Sequence, residues 1–151
     1  MSAPRSAPSA GLYGVSCPSA SSCFAVGSNL TTSGGSLVVR WNGKAWSPST
    51  TPVPRHASYA GLQSVSCVSA ARCLAVGDYV TNGVYAVSWH GSGWHLVSMT
   101  STGGHIGDFY AVSCLAAAKC AALAGTTQFA ASTRSESAFW NGARWKVVLT
   151  A

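Results

Sequence analysis

The sequence has few charged residues, and acidic residues are the scarcest. Only 8% of its 151 residues are charged, against about 25% in a typical soluble domain. The three acids, Asp78, Asp108 and Glu136, occupy different kinds of position in the chain. Glycoside hydrolysis usually requires two carboxylates that face each other across the bond. No G-x-S-x-G motif is present. We therefore predict no catalytic residues and favour a protein that is not an enzyme.

Long apolar runs and clusters of basic residues are also missing. No run of about 18 apolar residues occurs, so we predict no membrane span. The net charge is +6, but the nine Lys and Arg residues are scattered, which argues against nucleic-acid binding. Residues 1–10 form a Pro-, Ser- and Ala-rich leader that we predict to be flexible. The leader lacks the apolar segment of a secretion signal, so for a secreted protein that signal is absent from this sequence.

Six cysteines occur as three pairs with the same C-x5-C spacing: Cys17/Cys23, Cys67/Cys73 and Cys114/Cys120. The even count and constant spacing favour one disulfide within each pair. Each bridge would contribute about 2.4 kcal/mol by the loop-entropy relation. Zinc sites usually separate paired cysteines by two to four residues, so we predict neither a metal nor another cofactor. Disulfides indicate an oxidising compartment, and we predict a secreted, extracellular protein.

The cysteine pairs belong to a longer repeat within a single all-β domain, residues 11–151. The three copies span about 11–54, 61–102 and 108–151. Each copy contains VSC-x5-C and then a hairpin with two tryptophans, as in WNGKAW. A two-residue turn would pair Trp41 with Lys44, whereas a four-residue loop would pair Trp41 with Trp46. Either register places both tryptophans on one face of the hairpin.

Each copy contains four strand candidates in 40–50 residues, which is typical of propeller blades and also fits a β-trefoil. The motif VSC-x5-C-x-AVG followed by WNGxxW resembles the blade repeats of secreted bacterial β-propeller proteins, from about Leu12 to Leu149. The resemblance implies a fold but no assigned chemistry, and Ala124 departs from it where Gly27 and Gly77 match. We predict an all-β fold of three four-stranded blade-like repeats, half of a β-propeller, with a β-trefoil as the alternative. Since three blades cannot close a ring, we predict a homodimer with six blades.

Six tryptophans, two in each copy, are the strongest chemical feature. They are interpreted either as wedges between blades or as platforms for sugar rings. We predict that Trp46, Trp94 and Trp145 are exposed platforms, because each follows a turn directly. The polar neighbours that would bind sugar hydroxyls are Asn42, Lys44, His90, Asn141 and Arg144. The predicted function is a lectin-like module for carbohydrate or an anionic surface polymer. The alternatives are a structural or protein-interaction segment, and an enzyme with its site in the propeller channel.

Overall fold

The structure, a computed structural model, describes residues 10–29, 35–80, 83–102, 106–126 and 134–149. Residues 1–9, nearly all of the predicted leader, lie outside these ranges. In the described ranges, no helix is long and apolar enough to cross a membrane. The described residues form the strands β1 (Ala10–Ser19), β2 (Ser22–Asn29), β3 (Gly35–Trp41), β4 (Trp46–Pro48), β5 (Ser58–Ser69), β6 (Arg72–Val80), β7 (Gly83–Trp89), β8 (Trp94–Val97), β9 (Ser101–Thr102), β10 (Asp108–Ala116), β11 (Lys119–Thr126), β12 (Arg134–Trp140) and β13 (Trp145–Leu149).

The strands form three antiparallel four-stranded sheets that follow the order of the chain. Their strand orders are β1-β2-β3-β4, β5-β6-β7-β8 and β10-β11-β12-β13, and we call them blades one, two and three. The first strands of successive blades lie beside one another, because β5 contacts both β1 and β10. The short β9 lies in the predicted second repeat but pairs in parallel with β13 at the outer edge of blade three. The prediction of an all-β chain with three four-stranded repeats is confirmed.

Each predicted cysteine pair closes the loop between the first two strands of its blade. The disulfides Cys17–Cys23, Cys67–Cys73 and Cys114–Cys120 are all present, so the predicted pairing is confirmed. The first tryptophan of the hairpin reaches the same loop in two blades. The Nε1 of Trp41 donates to the carbonyl of Ala20, and that of Trp89 to the carbonyl of Ala70, each at 3.1 Å. The disulfide loop and the tryptophan hairpin therefore support each other.

The tryptophan hairpins have four-residue loops, and Trp41 pairs directly with Trp46. The glycine at the second loop position has a positive φ, 92° at Gly43 and 93° at Gly142, which glycine adopts without a steric penalty. The asparagine before this glycine stabilises the loop through its side chain. The Oδ1 of Asn42 accepts the backbone N–H groups of Lys44 and Ala45, both at 2.9 Å. The turn is therefore held by the asparagine side chain and by the backbone freedom of glycine.

The core consists of two apolar clusters, one at each interface between blades. At the interface of blades one and two, the ring of Phe24 lies 5.0 Å from that of Trp89 and 5.1 Å from that of Trp94, between centroids. At the interface of blades two and three, Leu74 and Val76 of blade two are buried in one cluster with Phe109 and Trp145 of blade three, whose ring centroids are 5.3 Å apart. Such tilted and edge-to-face aromatic contacts are favourable beyond the area they bury. The blades are therefore held face to face by side chains from both sides.

Glycine allows a close approach of the first two strands in blades one and two. A Cβ at Gly27 would lie 1.8 Å from the carbonyl oxygen of Gly11, and a Cβ at Gly77 would lie 1.9 Å from that of Gly61. Blade three carries Ala124 at this position, opposite Phe109. The third repeat therefore diverges at the position where glycine allows the close strand approach in blades one and two.

We predict that Gly77→Ala lowers the free energy of unfolding by at least about 1 kcal/mol and up to about 3 kcal/mol, because the new methyl group overlaps the backbone. Urea denaturation would measure the loss. Gly35→Ala is the matched control, since a Cβ there meets no heavy atom within 4 Å. Equal losses for both variants would contradict this explanation.

Candidate functional site

The eight residues predicted to bind a ligand lie on three hairpins, one in each blade. The first hairpin carries Asn42, Lys44 and Trp46, the second carries His90 and Trp94, and the third carries Asn141, Arg144 and Trp145. The Oδ1 of Asn141 accepts the backbone N–H groups of Ala143 and Arg144, at 2.9 and 2.8 Å. The asparagines therefore serve their own turns, and the residues do not form one joint site.

The prediction that Trp94 and Trp145 are exposed platforms is wrong. Their side chains are 5% and 0% exposed, whereas Trp46 is 37% exposed. The loop before each tryptophan is exposed, but the alternation of the strand directs the indole toward the preceding blade. Trp46 has the same orientation on blade one, where no preceding blade covers it in the described chain. The second tryptophan of the hairpin is therefore a core residue wherever a neighbouring blade exists.

Among the described residues, nothing covers one apolar face of blade one, which we call the first end face and define by Leu12, Val15 and Trp46. The corresponding positions in blade two are buried in the interface with blade one. Leu12 and Val15 are 52% and 63% exposed, whereas their counterparts Leu62 and Val65 are 0% and 6% exposed. The first end face therefore has the composition of a blade interface without a partner.

Blade three presents the opposite face, the second end face, defined by Leu123, Phe139 and Val148. These side chains are 57%, 47% and 40% exposed. Val26 and Val76, which hold the position of Leu123 in the other two blades, are both 0% exposed. The second end face thus corresponds to the surfaces that blades one and two bury against their following blade.

A serine on the first strand of a blade links it to the next blade. The backbone N–H of Cys67 donates to Ser16 Oγ, and that of Cys114 donates to Ser66 Oγ, both at 2.9 Å. Ser113 holds the same position on blade three and is exposed there. The N–H that corresponds to the donors in blades two and three is that of Cys17. Blade three therefore carries the acceptor of one further hydrogen bond of this kind, Ser113 Oγ, and blade one carries the donor, the backbone N–H of Cys17.

A cleft of about 490 Å³ lies between blades two and three. The equivalent space between blades one and two is filled by Phe24 and Arg40, whose guanidinium carbon lies 5.2 Å from the ring centroid of Trp89. Blade two carries Leu74 and Ser88 at these two positions. These smaller side chains leave a space beside Trp140, which is the counterpart of Trp89. Leu74, Ser88 and Trp140 all line the cleft.

The charged and titratable groups that line the cleft in the described ranges are Arg72, His90 and His95. The two imidazole rings are 5.0 Å apart, and Ser88 Oγ lies 2.9 Å from His90 Nε2. Burial lowers the pKa of His90, and the positive charges of His95 and Arg72 lower it further, since like charges disfavour protonation. A lining of this kind attracts an anionic group.

Sequence reasoning identified His90 but missed its partners Arg72, His95, Ser88 and Trp140. The available signal was the alignment of the repeats, in which Ser88 replaces the bulky Arg40. This substitution opens a cleft only because the face of blade two that carries Ser88 meets blade three. The sequence does not specify which face meets blade three, whereas the stacking of the blades does. The cleft is therefore the candidate functional site.

The three acidic residues do not line the cleft. Glu136 is buried, and its Oε2 accepts the backbone N–H of Gly107 at 3.0 Å. Asp78 accepts a hydrogen bond of 3.2 Å from Gln63. Burial raises the pKa of Asp78, the bond from Gln63 opposes the increase, and the charge of Asp108 adds to it. Among the described residues, no group of His, Cys, Asp and Glu is arranged to hold a metal.

Comparison with known proteins supports the fold. No protein-family model and no curated protein matches the chain. Eleven chains of solved structures match. One of them, "YCF48 bound to D1 peptide", aligns with a TM-score of 0.63 and 16% identity over 93% of this chain and 42% of that chain. YCF48 is a β-propeller protein, so the three sheets are blades of the propeller type. The chain spans less than half the length of this neighbour.

We predict that Trp145→Ala lowers the free energy of unfolding by about 3–5 kcal/mol, as for other large core aromatics. Trp140→Ala, in the same hairpin, should cost clearly less, because Trp140 is only partly buried. Urea denaturation of both variants would measure the difference. A larger loss for Trp140→Ala would contradict the placement of Trp145 in the core.

Proposed function

We propose that the chain is a non-enzymatic, protein-interaction segment of a β-propeller that acts outside the cell, and that its two end faces bind further blades. One observation carries the proposal: positions that are buried between blades inside the chain are exposed at both ends. The three disulfides are consistent with an extracellular location, since they persist in oxidising environments. The resemblance of the repeats to secreted bacterial propeller proteins supports the same location.

The two end faces are complementary in the way that the internal interfaces are. Leu123 would occupy the place that Val26 and Val76 occupy in the internal interfaces. Phe139, which holds the position of Arg40, would pack against Trp41. Ser113 Oγ would accept the backbone N–H of Cys17 and so repeat the two serine links already present. Packing the second end face on the first therefore continues an existing interface.

We propose that the occupant is a second copy of the chain. Propellers usually contain four to eight blades, and one chain contributes three blades. Two copies would give six blades and a closed ring, whereas three copies would give nine and exceed the usual range. A two-fold axis would make both junctions identical. The proposed assembly is therefore a homodimer.

Peptide or protein recognition also fits this fold class, since the propeller neighbour is described as bound to D1 peptide. The carbohydrate hypothesis has less support. Trp46 is the only one of its three predicted platforms that remains exposed, and a second copy would cover it. Carbohydrate binding through Trp46 and ring closure therefore compete for the same surface. Lectin activity stays a prediction that a glycan array would test.

We predict that light scattering reports a mass of about twice the 15.4 kDa of one chain. Val15→Asp and Leu123→Asp should each reduce the mass to that of one chain, because a carboxylate cannot be buried unpaired in an apolar interface. Circular dichroism and non-reducing mass spectrometry would verify that the variants keep their fold and disulfides.

The matched control is Val80→Asp, which places the same charge at an exposed position of the middle blade. Val80 is 55% exposed, so the variant should keep the mass of two chains. A single-chain mass for the unmodified protein at every concentration would refute the homodimer. Retention of the double mass by both end-face variants would refute the proposed junctions.

A further inference from the structure

We infer that the cleft between blades two and three binds an acidic polypeptide segment, which lies extended along β8 and places a carboxylate beside Arg72, His90 and His95. This inference does not depend on ring closure, since both walls of the cleft belong to one chain. It assigns a ligand class to a surface distinct from the two end faces.

Charge selects the chemical class of the ligand. Arg72 carries a fixed positive charge, and the two histidines add positive charge when protonated. No acidic residue lines the cleft in the described ranges, so no internal carboxylate neutralises these groups. Arg72 and protonated histidines donate charge-assisted hydrogen bonds to a carboxylate. A cationic ligand would instead meet like charges.

The shape of the cleft allows it to receive a side chain of a ligand. Between blades one and two, the chain fills the equivalent space with its own Arg40, which packs on Phe24 and Trp89. Ser88 in the place of Arg40 removes most of that filling group. A ligand side chain with a short apolar stem and a planar head could then pack beside Trp140. The cleft therefore corresponds to the space that Arg40 fills between blades one and two, without a side chain of the protein to fill it.

The edge of blade two favours a polypeptide over a small molecule. His95 and Val97 lie on β8 and line the cleft, and β8 is the outermost strand of blade two in the described chain. On blade three, β9 pairs in parallel with the corresponding strand, β13. The chain thus contains an example of an extended segment added at an outer edge. Strand addition provides backbone hydrogen bonds, while side-chain pockets provide specificity.

Alternation along such an added strand would direct every second side chain toward the face that carries His95. Acidic residues at alternate positions would therefore point at the cleft. The carboxylates of Asp and Glu remain ionised at pH 5.5, whereas histidines gain protons between pH 7.5 and pH 5.5. Burial and the neighbouring positive charges lower the pKa of His90, and a bound carboxylate would oppose that lowering by favouring the protonated ring. Affinity should therefore rise as the pH falls.

The test uses a fluorescein-labelled hexapeptide of alternating Glu and Val, with fluorescence anisotropy at pH 7.5 and pH 5.5. We expect tighter binding at pH 5.5, by up to about fivefold, since exposed charge pairs are modest in strength. His90→Gln should reduce the pH dependence and leave the affinity at pH 7.5 nearly unchanged. Lys44→Gln, on the exposed hairpin of blade one, is the charge control and should bind like the unmodified protein.

A variant that fills the cleft provides the decisive comparison. Leu74→Phe combined with Ser88→Leu fills the space without adding charge and should abolish peptide binding at both pH values. Its mass in solution should remain that of the unmodified protein, so loss of the cleft and loss of assembly are distinguishable. Urea denaturation would confirm that this variant is folded.

Three outcomes would overturn the inference. The first is equal binding of the peptide to the filled variant. The second is equal or tighter binding of the matching Lys-Val peptide, which would show that negative charge is not recognised. The third is binding of a polyglucuronate chain with no binding of the acidic peptide, which would assign the cleft to an acidic saccharide.

Discussion

The structure depends on the burial of both faces of each sheet, which no single blade can achieve alone. A four-stranded blade of this size is apolar on both sides, and each side becomes buried only by stacking on another blade. Phe24, Trp89 and Trp94 form this contact between blades one and two. The same requirement explains why equivalent residues at the two ends of the chain remain exposed. Stacking therefore determines both the core and the surfaces available for association.

Within each blade, local links hold the strands in the register that stacking requires. The disulfide closes the loop between the first two strands, and the Nε1 of Trp41 or Trp89 binds the carbonyl of a residue in that loop. The four-residue hairpin loop pairs the two tryptophans directly and puts both indoles on one face. A slip of one residue would turn them to the opposite face. The local links thus protect the pattern on which the interfaces depend.

Differences between the repeats produce the cleft. At the interface of blades one and two, Arg40 covers Trp89 and completes the packing. Blade two has Ser88 at this position, and the same architecture then leaves a space of about 490 Å³. Arg72, His90 and His95 make its lining basic. The interface of blades one and two is therefore fully packed, whereas the interface of blades two and three is packed in its core and open at the cleft.

The sequence by itself determined the elements that depend on local spacing: three repeats of four strands, three disulfides and two tryptophans on one face of each hairpin. These features follow from the C-x5-C spacing, the Asn-Gly turns and the two-residue period of strands. Tertiary structure decided which face of each hairpin meets another blade, and therefore that Trp94 and Trp145 are buried while Trp46 is exposed. It also brought Arg72, His90, His95 and Trp140 around one cleft. Burial depends on the neighbouring blade, and a strand's own sequence does not specify whether such a neighbour is present.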